Sequence, residues 1–139
     1  MSPFVLDASV ALSIIFEDEF SPYSDAVAEI MKRGRAVVPV VWPLEIANAL
    51  LTAVRRGRIP AADAPLLIGT MDRLPVDIDR GIAPEFLAQA TLTVGLAHRV
   101  SAYDASYFEL AMRRGLPLAT QAERLTRAAA AAGIAVMQP

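Results

Sequence analysis

The sequence predicts an α/β fold, a mostly parallel sheet of about five strands with helices on both faces, and three observations predict it. Short apolar runs at residues 4–6, 36–40, 75–78, 116–119 and 134–136 alternate with longer segments of helical periodicity. Glycine and proline punctuate the joints between them. Three acidic residues, Asp7, Glu45 and Asp104, fall where strands hand over to helices or where a helix begins, the places that a parallel sheet gathers at the carboxyl ends of its strands.

Taken in order, Phe4-Val5-Leu6 reads as a buried strand, and Asp7-Ala8-Ser9 opens a short helix through residue 15, capped by Asp7 or Ser9. Ser21-Pro22 starts a second helix, with proline at its first position, that stops at Lys32-Arg33-Gly34. Residues 36–40 form a second strand. Pro43 launches a helix in which Leu44, Ala47, Leu51 and Val54 recur at helical spacing as the predicted apolar stripe, with Glu45 off it on a face shared with Asn48 and Ala49. Residues 60–74 read as helix, 75–78 as strand, and 84–98 and 102–114 as two more helices, the second closed by Gly115. A strand at 116–119, a helix at 121–132 ending on Gly133 and a last strand at 134–136 complete the pattern.

A chain of 139 residues fits one domain, residues 1–139, able to bury a core without disulfides. It has no cysteine, which excludes disulfides, thiolate zinc and thiol catalysis. A net charge of −2 argues against a non-specific DNA coat, yet local patches steer nucleic acid better than net charge does. The apolar runs are far shorter than the roughly 20 residues that span a bilayer, and no basic leader precedes the first strand. A cytoplasmic protein without a membrane segment is therefore expected. With 55% hydrophobic residues and a mean hydropathy of +0.41, part of the apolar surface is expected to be covered by a second copy, the early helices with Phe16 and Phe20 being the candidate face.

Carboxylates brought together repel and raise one another's pKa, so a shared site is costly until a cation, a proton or an arginine neutralises it. Each of the three acids alone has a plain structural explanation: Asp7 as a cap, Glu45 as a partner of a helix dipole, Asp104 in a capping box with Ser101. Jointly they point to a divalent metal of the kind that takes oxygen ligands and keeps several waters.

Four segments carry a family likeness: Val5-Leu6-Asp7-Ala8-Ser9-Val10-Ala11-Leu12, Pro43-Leu44-Glu45-Ile46-Ala47-Asn48-Ala49-Leu50, Ser101-Ala102-Tyr103-Asp104-Ala105-Ser106-Tyr107-Phe108-Glu109-Leu110-Ala111, and Leu116-Pro117-Leu118-Ala119-Thr120. In this order, over nearly the whole chain, they resemble the PIN-domain ribonucleases, specifically the VapC toxins of toxin–antitoxin pairs. The resemblance implies a three-layer α/β/α sandwich and RNA cleavage dependent on Mg2+ or Mn2+, leaving a 3′-hydroxyl and a 5′-phosphate. It also implies a homodimer, and a VapB-type antitoxin that blocks the site in a heterotetramer or larger assembly. Asp7 and Asp104 are then the principal ligands, and Glu45 a ligand or the group that orients the attacking water.

One position departs from that pattern. These toxins usually carry a fourth aspartate two residues after the threonine, and here Ala122 holds its place in Thr120-Gln121-Ala122-Glu123. Glu123 comes one residue late, about 100° around the helix, and either caps the helix with Thr120 or bends toward the metal. Ser9 and Thr120 are good caps and equally able to hydrogen-bond the acids or metal-held waters. Asn48, one turn after Glu45, is placed to hold it. Arg99 and Tyr103 are candidates to clamp or stack on RNA, Trp42 is better explained by core packing, and His98, the only histidine, reads as structural. The missing acid leaves open an alternative, a module that has lost catalysis and acts through protein partners. A phosphoacceptor domain fails because no paired acids follow the first strand and the only lysine, Lys32, ends an early helix.

Overall fold

A computed structural model describes residues 2–139, Met1 lying outside the described residues. The first strand, β1 (Phe4–Leu6), is followed by α1 (Ala8–Ile15) and α2 (Pro22–Met31); β2 (Ala36–Val38) by α3 (Trp42–Arg55) and α4 (Ala64–Asp72); β3 (Val76–Ile78) by α5 (Pro84–His98) and α6 (Ala102–Arg114); and β4 (Leu118–Ala119) by α7 (Glu123–Ala131). The four strands form one sheet in the order β3-β2-β1-β4, parallel at every pairing. The chain builds outward from β1 through β2 to β3, then returns to add β4 on the other side. That reversal makes the carboxyl ends of β1 and β4 a topological switch point, where α/β folds place their ligands.

Phe4, Val5 and Leu6 are each at most 1% exposed, as a central strand covered on both faces demands. Helix α1 packs on α2, α3 and α4, whereas α5 packs on α6 and α6 on β1, so two helical groups flank the sheet. Tyr107, Phe108 and Leu110 of α6 are buried in that core, each burial contributing roughly 1.5–3 kcal/mol.

Several expectations need correction. The fifth strand, expected at 134–136, shrinks to one parallel bridge between Leu118 and Val136. Its neighbour β4 cannot extend the ladder, because the Leu116 N–H is taken by the Ala111 carbonyl at 2.9 Å and the Thr120 N–H by the Tyr23 hydroxyl at 3.1 Å. The helix expected over 60–74 divides into a 3-10 turn at Ala61–Asp63 and α4, because Pro65 is tolerated only in a helix's first turn. In α3 the buried face is Trp42, Ile46, Leu50 and Ala53, not the expected stripe, of which Leu44 is 73% and Leu51 52% exposed. Phe16 is buried beneath the Arg58 guanidinium, 4.7 Å above its ring, so of the two candidate dimer residues only Phe20 stands at the surface.

Candidate active site

Asp7 is the first residue beyond β1, and its amide donates to the Ala119 carbonyl at 3.1 Å, carrying the sheet one step further. The register that pairs Leu6 with Ala119 sets Thr120 directly beside it. The Asp7 carboxylate accepts from the Ser9 amide at 3.3 Å, the Ser9 hydroxyl at 2.8 Å and the Thr120 hydroxyl at 2.9 Å. The residue is 7% exposed. Ser9 and Thr120 thus hold an acid rather than merely ending helices, although the Thr120 oxygen also accepts from the Ala122 amide.

Glu45 sits in the first turn of α3, where a negative charge suits the helix dipole. Its Oε1 accepts the hydroxyl of Tyr107 at 2.8 Å, and the same hydroxyl accepts the Ala8 amide at 3.2 Å. Tyr107 is 1% exposed; burial, and then the charges of Glu45 and Asp7, push its phenol far above the ordinary range, so it stays a proton-bearing donor. Asp104 occupies the first turn of α6, its amide donating to the Ser101 hydroxyl at 3.1 Å, which is one half of the expected capping box; its own carboxylate does not return the bond. Arg124 of α7 grips its Oδ2 at 2.9 Å.

All three acids line one cavity of about 730 Å3 at the carboxyl ends of the strands, together with Ser9, Asn48, Tyr103 and Arg124. They feel one another. Burial raises the pKa of Glu45, against the Tyr107 hydrogen bond, and the charges of Asp7 and Asp104 raise it further. Burial likewise raises Asp104, opposed by Arg124 and reinforced by Asp7. The donor set is all oxygen and strongly negative, which fits Mg2+ or Mn2+ in kind. Among the described residues no three histidine, cysteine, aspartate or glutamate side chains stand close enough together to hold a metal ion as placed; an ion bound by one or two of these carboxylates would take its other ligands from water.

The pKa directions yield a test. Folded Glu45 and Asp104 keep protons that the unfolded chain releases at its ordinary values of 4.5 and 3.8, so their ionisation costs stability as pH rises past those values and costs nothing in acid. A bound divalent cation offsets that cost. Mn2+ is expected to raise the melting temperature more at neutral pH than in mild acid; equal shifts at both would place the ion away from these acids.

Other expected residues stand elsewhere. Glu123 pairs with Arg127 at 3.0 Å and is 83% exposed, and α7 is capped at Ala122 without a side-chain bond, so neither the capping box with Thr120 nor a reach toward the acids is formed. Asn48 lines the cavity, yet the bond to Glu45 comes from Tyr107. Tyr103 lines it at 62% exposure. Arg99 instead ends α5 in a left-handed conformation, φ 55°. His98 meets the Phe108 ring edge-on with centroids 6.2 Å apart, and Trp42 is 6% exposed; both are packing residues. Arg113 and Arg114 hold Asp79, just past β3. The reading of residues overlooked Tyr107 and Arg124. For Tyr107 a signal existed: a tyrosine three residues after an acid on a helix, in an apolar stretch, must find a partner for its hydroxyl once buried.

A crystal structure of PAE2754 from Pyrobaculum aerophilum is similar, with a TM-score of 0.69 and 22% sequence identity over 91% of this chain and 84% of that one, a likeness of fold. Against curated protein sequences the chain has no match. The PIN domain pattern matches residues 4–131, a span that holds β1 to β4, α1 to α7 and the three acids of the cavity. With parallel topology, switch-point cavity and sequence pattern in agreement, the chain belongs to the PIN domain family, whose members are generally nucleases.

Proposed function

We propose that this chain is an endoribonuclease dependent on Mg2+ or Mn2+, and the toxin of a type II toxin–antitoxin pair. The observation that carries the reading is the convergence of Asp7, Glu45 and Asp104 on one cavity at the switch point. When bound, the ion supplies positive charge against the scissile phosphate and acidifies the attacking water. Asp7, fixed by three hydrogen bonds, and Asp104 are the residues to hold it. Glu45, with its raised pKa, is suited to accept the proton of that water or to share the ion, and Tyr107 keeps its carboxylate aimed. Exposed Tyr103 at the rim offers a face on which an RNA base can stack.

The partner assignments rest on the resemblance to VapC toxins and on apolar surface. Leu44 beside the cavity and Leu51 on the same helix are exposed, as are Phe86, Leu92 and Leu96 on α5, and such side chains suit a homodimer contact and the docking of an antitoxin segment. No helix among the described residues is long and apolar enough to cross a membrane, in keeping with a cytoplasmic toxin.

The test is RNA cleavage by the purified protein in Mn2+. Cleavage that stops with chelator and resumes when Mn2+ or Mg2+ returns is the expected result. Absence of cleavage across RNAs of varied structure, with the metal present, would overturn it in favour of a partner-binding module whose catalysis went with the acid missing at Ala122.

A further inference from the structure

Arg124 is the one cation among the described residues that line the acidic cavity. Its Nη2 lies 2.9 Å from Asp104 Oδ2, and the two ends of this pair are unlike: the arginine side chain is 71% exposed, the aspartate's 16%. The arginine therefore reaches in from solvent. Its neighbours on α7 leave it free to move, since Leu125, 4% exposed, anchors the helix in the core and Glu123 is taken by Arg127. Arg113 shows the contrast, its side chain 30% exposed and held between Asp79 and Glu109 at 9% and 14%, an arrangement that fixes a guanidinium in place. With the guanidinium in place the three carboxylates keep a net −2; once it turns outward they carry −3, which draws a divalent ion more strongly.

We propose that Arg124 exchanges partners during function: it holds Asp104 while that carboxylate is free, yields it to the divalent ion, and turns outward to grip a phosphate of the RNA at the cavity mouth. The inference rests on the reading of this cavity as a metal-dependent nuclease site. A guanidinium is suited to both partners, since its planar fork matches carboxylate and phosphate alike. A single ion pair whose arginine end is 71% exposed is weak enough for a divalent ion to displace. Tyr103 shares the rim, so a released Arg124 and the phenol ring together form a surface for a phosphate and its neighbouring base.

Two measurements test this on the full chain. Calorimetric titration with Mn2+, without RNA, is expected to show Arg124→Gln binding the ion about fivefold more tightly than wild type, because the competing cation is gone, and Arg124→Lys staying within about twofold. In Mn2+, the slope of log KM for single-stranded RNA against log salt is expected to fall by about 0.7 in Arg124→Gln, the signature of one lost phosphate contact. If wild type binds Mn2+ and Arg124→Gln binds it equally or less tightly, the exchange is overturned and the nuclease reading stands. If wild type takes up no Mn2+, the metal reading fails and carries this inference down with it.

Discussion

Substituting asparagine for Asp7 is expected to abolish RNA cleavage while leaving the protein folded. The two side chains have the same shape, and the amide oxygen can still accept from Ser9. The hydroxyls of Ser9 and Thr120, which now donate to Oδ2, can rotate to accept from the amide nitrogen instead. The exchange of hydrogen bonds costs about 1 kcal/mol, a few degrees of melting temperature for a domain of this size. The lost charge acts on the chemistry. Disturbing a group behind a metal ligand costs roughly 10- to 100-fold, so losing a principal ligand is expected to exceed that in kcat. Single-turnover cleavage in Mn2+ beside a thermal melt checks both halves; wild-type cleavage with the metal requirement intact would remove Asp7 from the site.

Tyr107→Phe is the second large effect, and it separates aim from architecture. The ring stays in the core and only the hydroxyl is lost, yet that oxygen serves both the Ala8 amide and the Glu45 carboxylate. Leaving such groups unpartnered costs about 1–3 kcal/mol. Glu45 also loses the donor that fixes its rotamer, and kcat is expected to fall roughly 10- to 100-fold. KM for RNA should change little, because Tyr107 does not line the cavity. Steady-state kinetics with a melt decide the matter: a lower melting temperature with kcat unchanged would reduce Tyr107 to a core residue.

What could be read from the amino acids followed local rules. Asp7, Glu45 and Asp104 were legible because each sits at a junction that strand, proline and serine signals mark within a few residues. The buried face of α3 was not, because Leu44, Ala47, Leu51, Val54 and Trp42, Ile46, Leu50, Ala53 both recur at helical spacing; only packing against α1 and α4 decides which is covered. The fifth strand failed for a tertiary reason, the Tyr23 hydroxyl ending the β4 ladder from 97 residues away. Tyr107 and Arg124 entered the site by the same kind of contact, across 62 and 20 residues; the apolar setting says that the Tyr107 hydroxyl needs a partner, but spacing does not say which. Thr120 and Glu123 show local chemistry overruled: a capping pattern gives way when the threonine is drawn to Asp7.

The bond from Thr120 to Asp7 spans 113 residues, and this separation governs when the acidic cavity is complete. During synthesis the amino-terminal half emerges and can pack α1 to α4 on β1 and β2, but Asp104, Tyr107 and Thr120 are still to come. Contacts of such long sequence separation form late, because the chain between them must be ordered first. A nascent or truncated chain lacking α6 and β4 therefore holds Glu45 without its tyrosine and Asp7 without its threonine. The cavity is in effect a proof of completed folding, and on the proposed ribonuclease reading a ribosome making this protein is spared a nuclease at work on its own messenger.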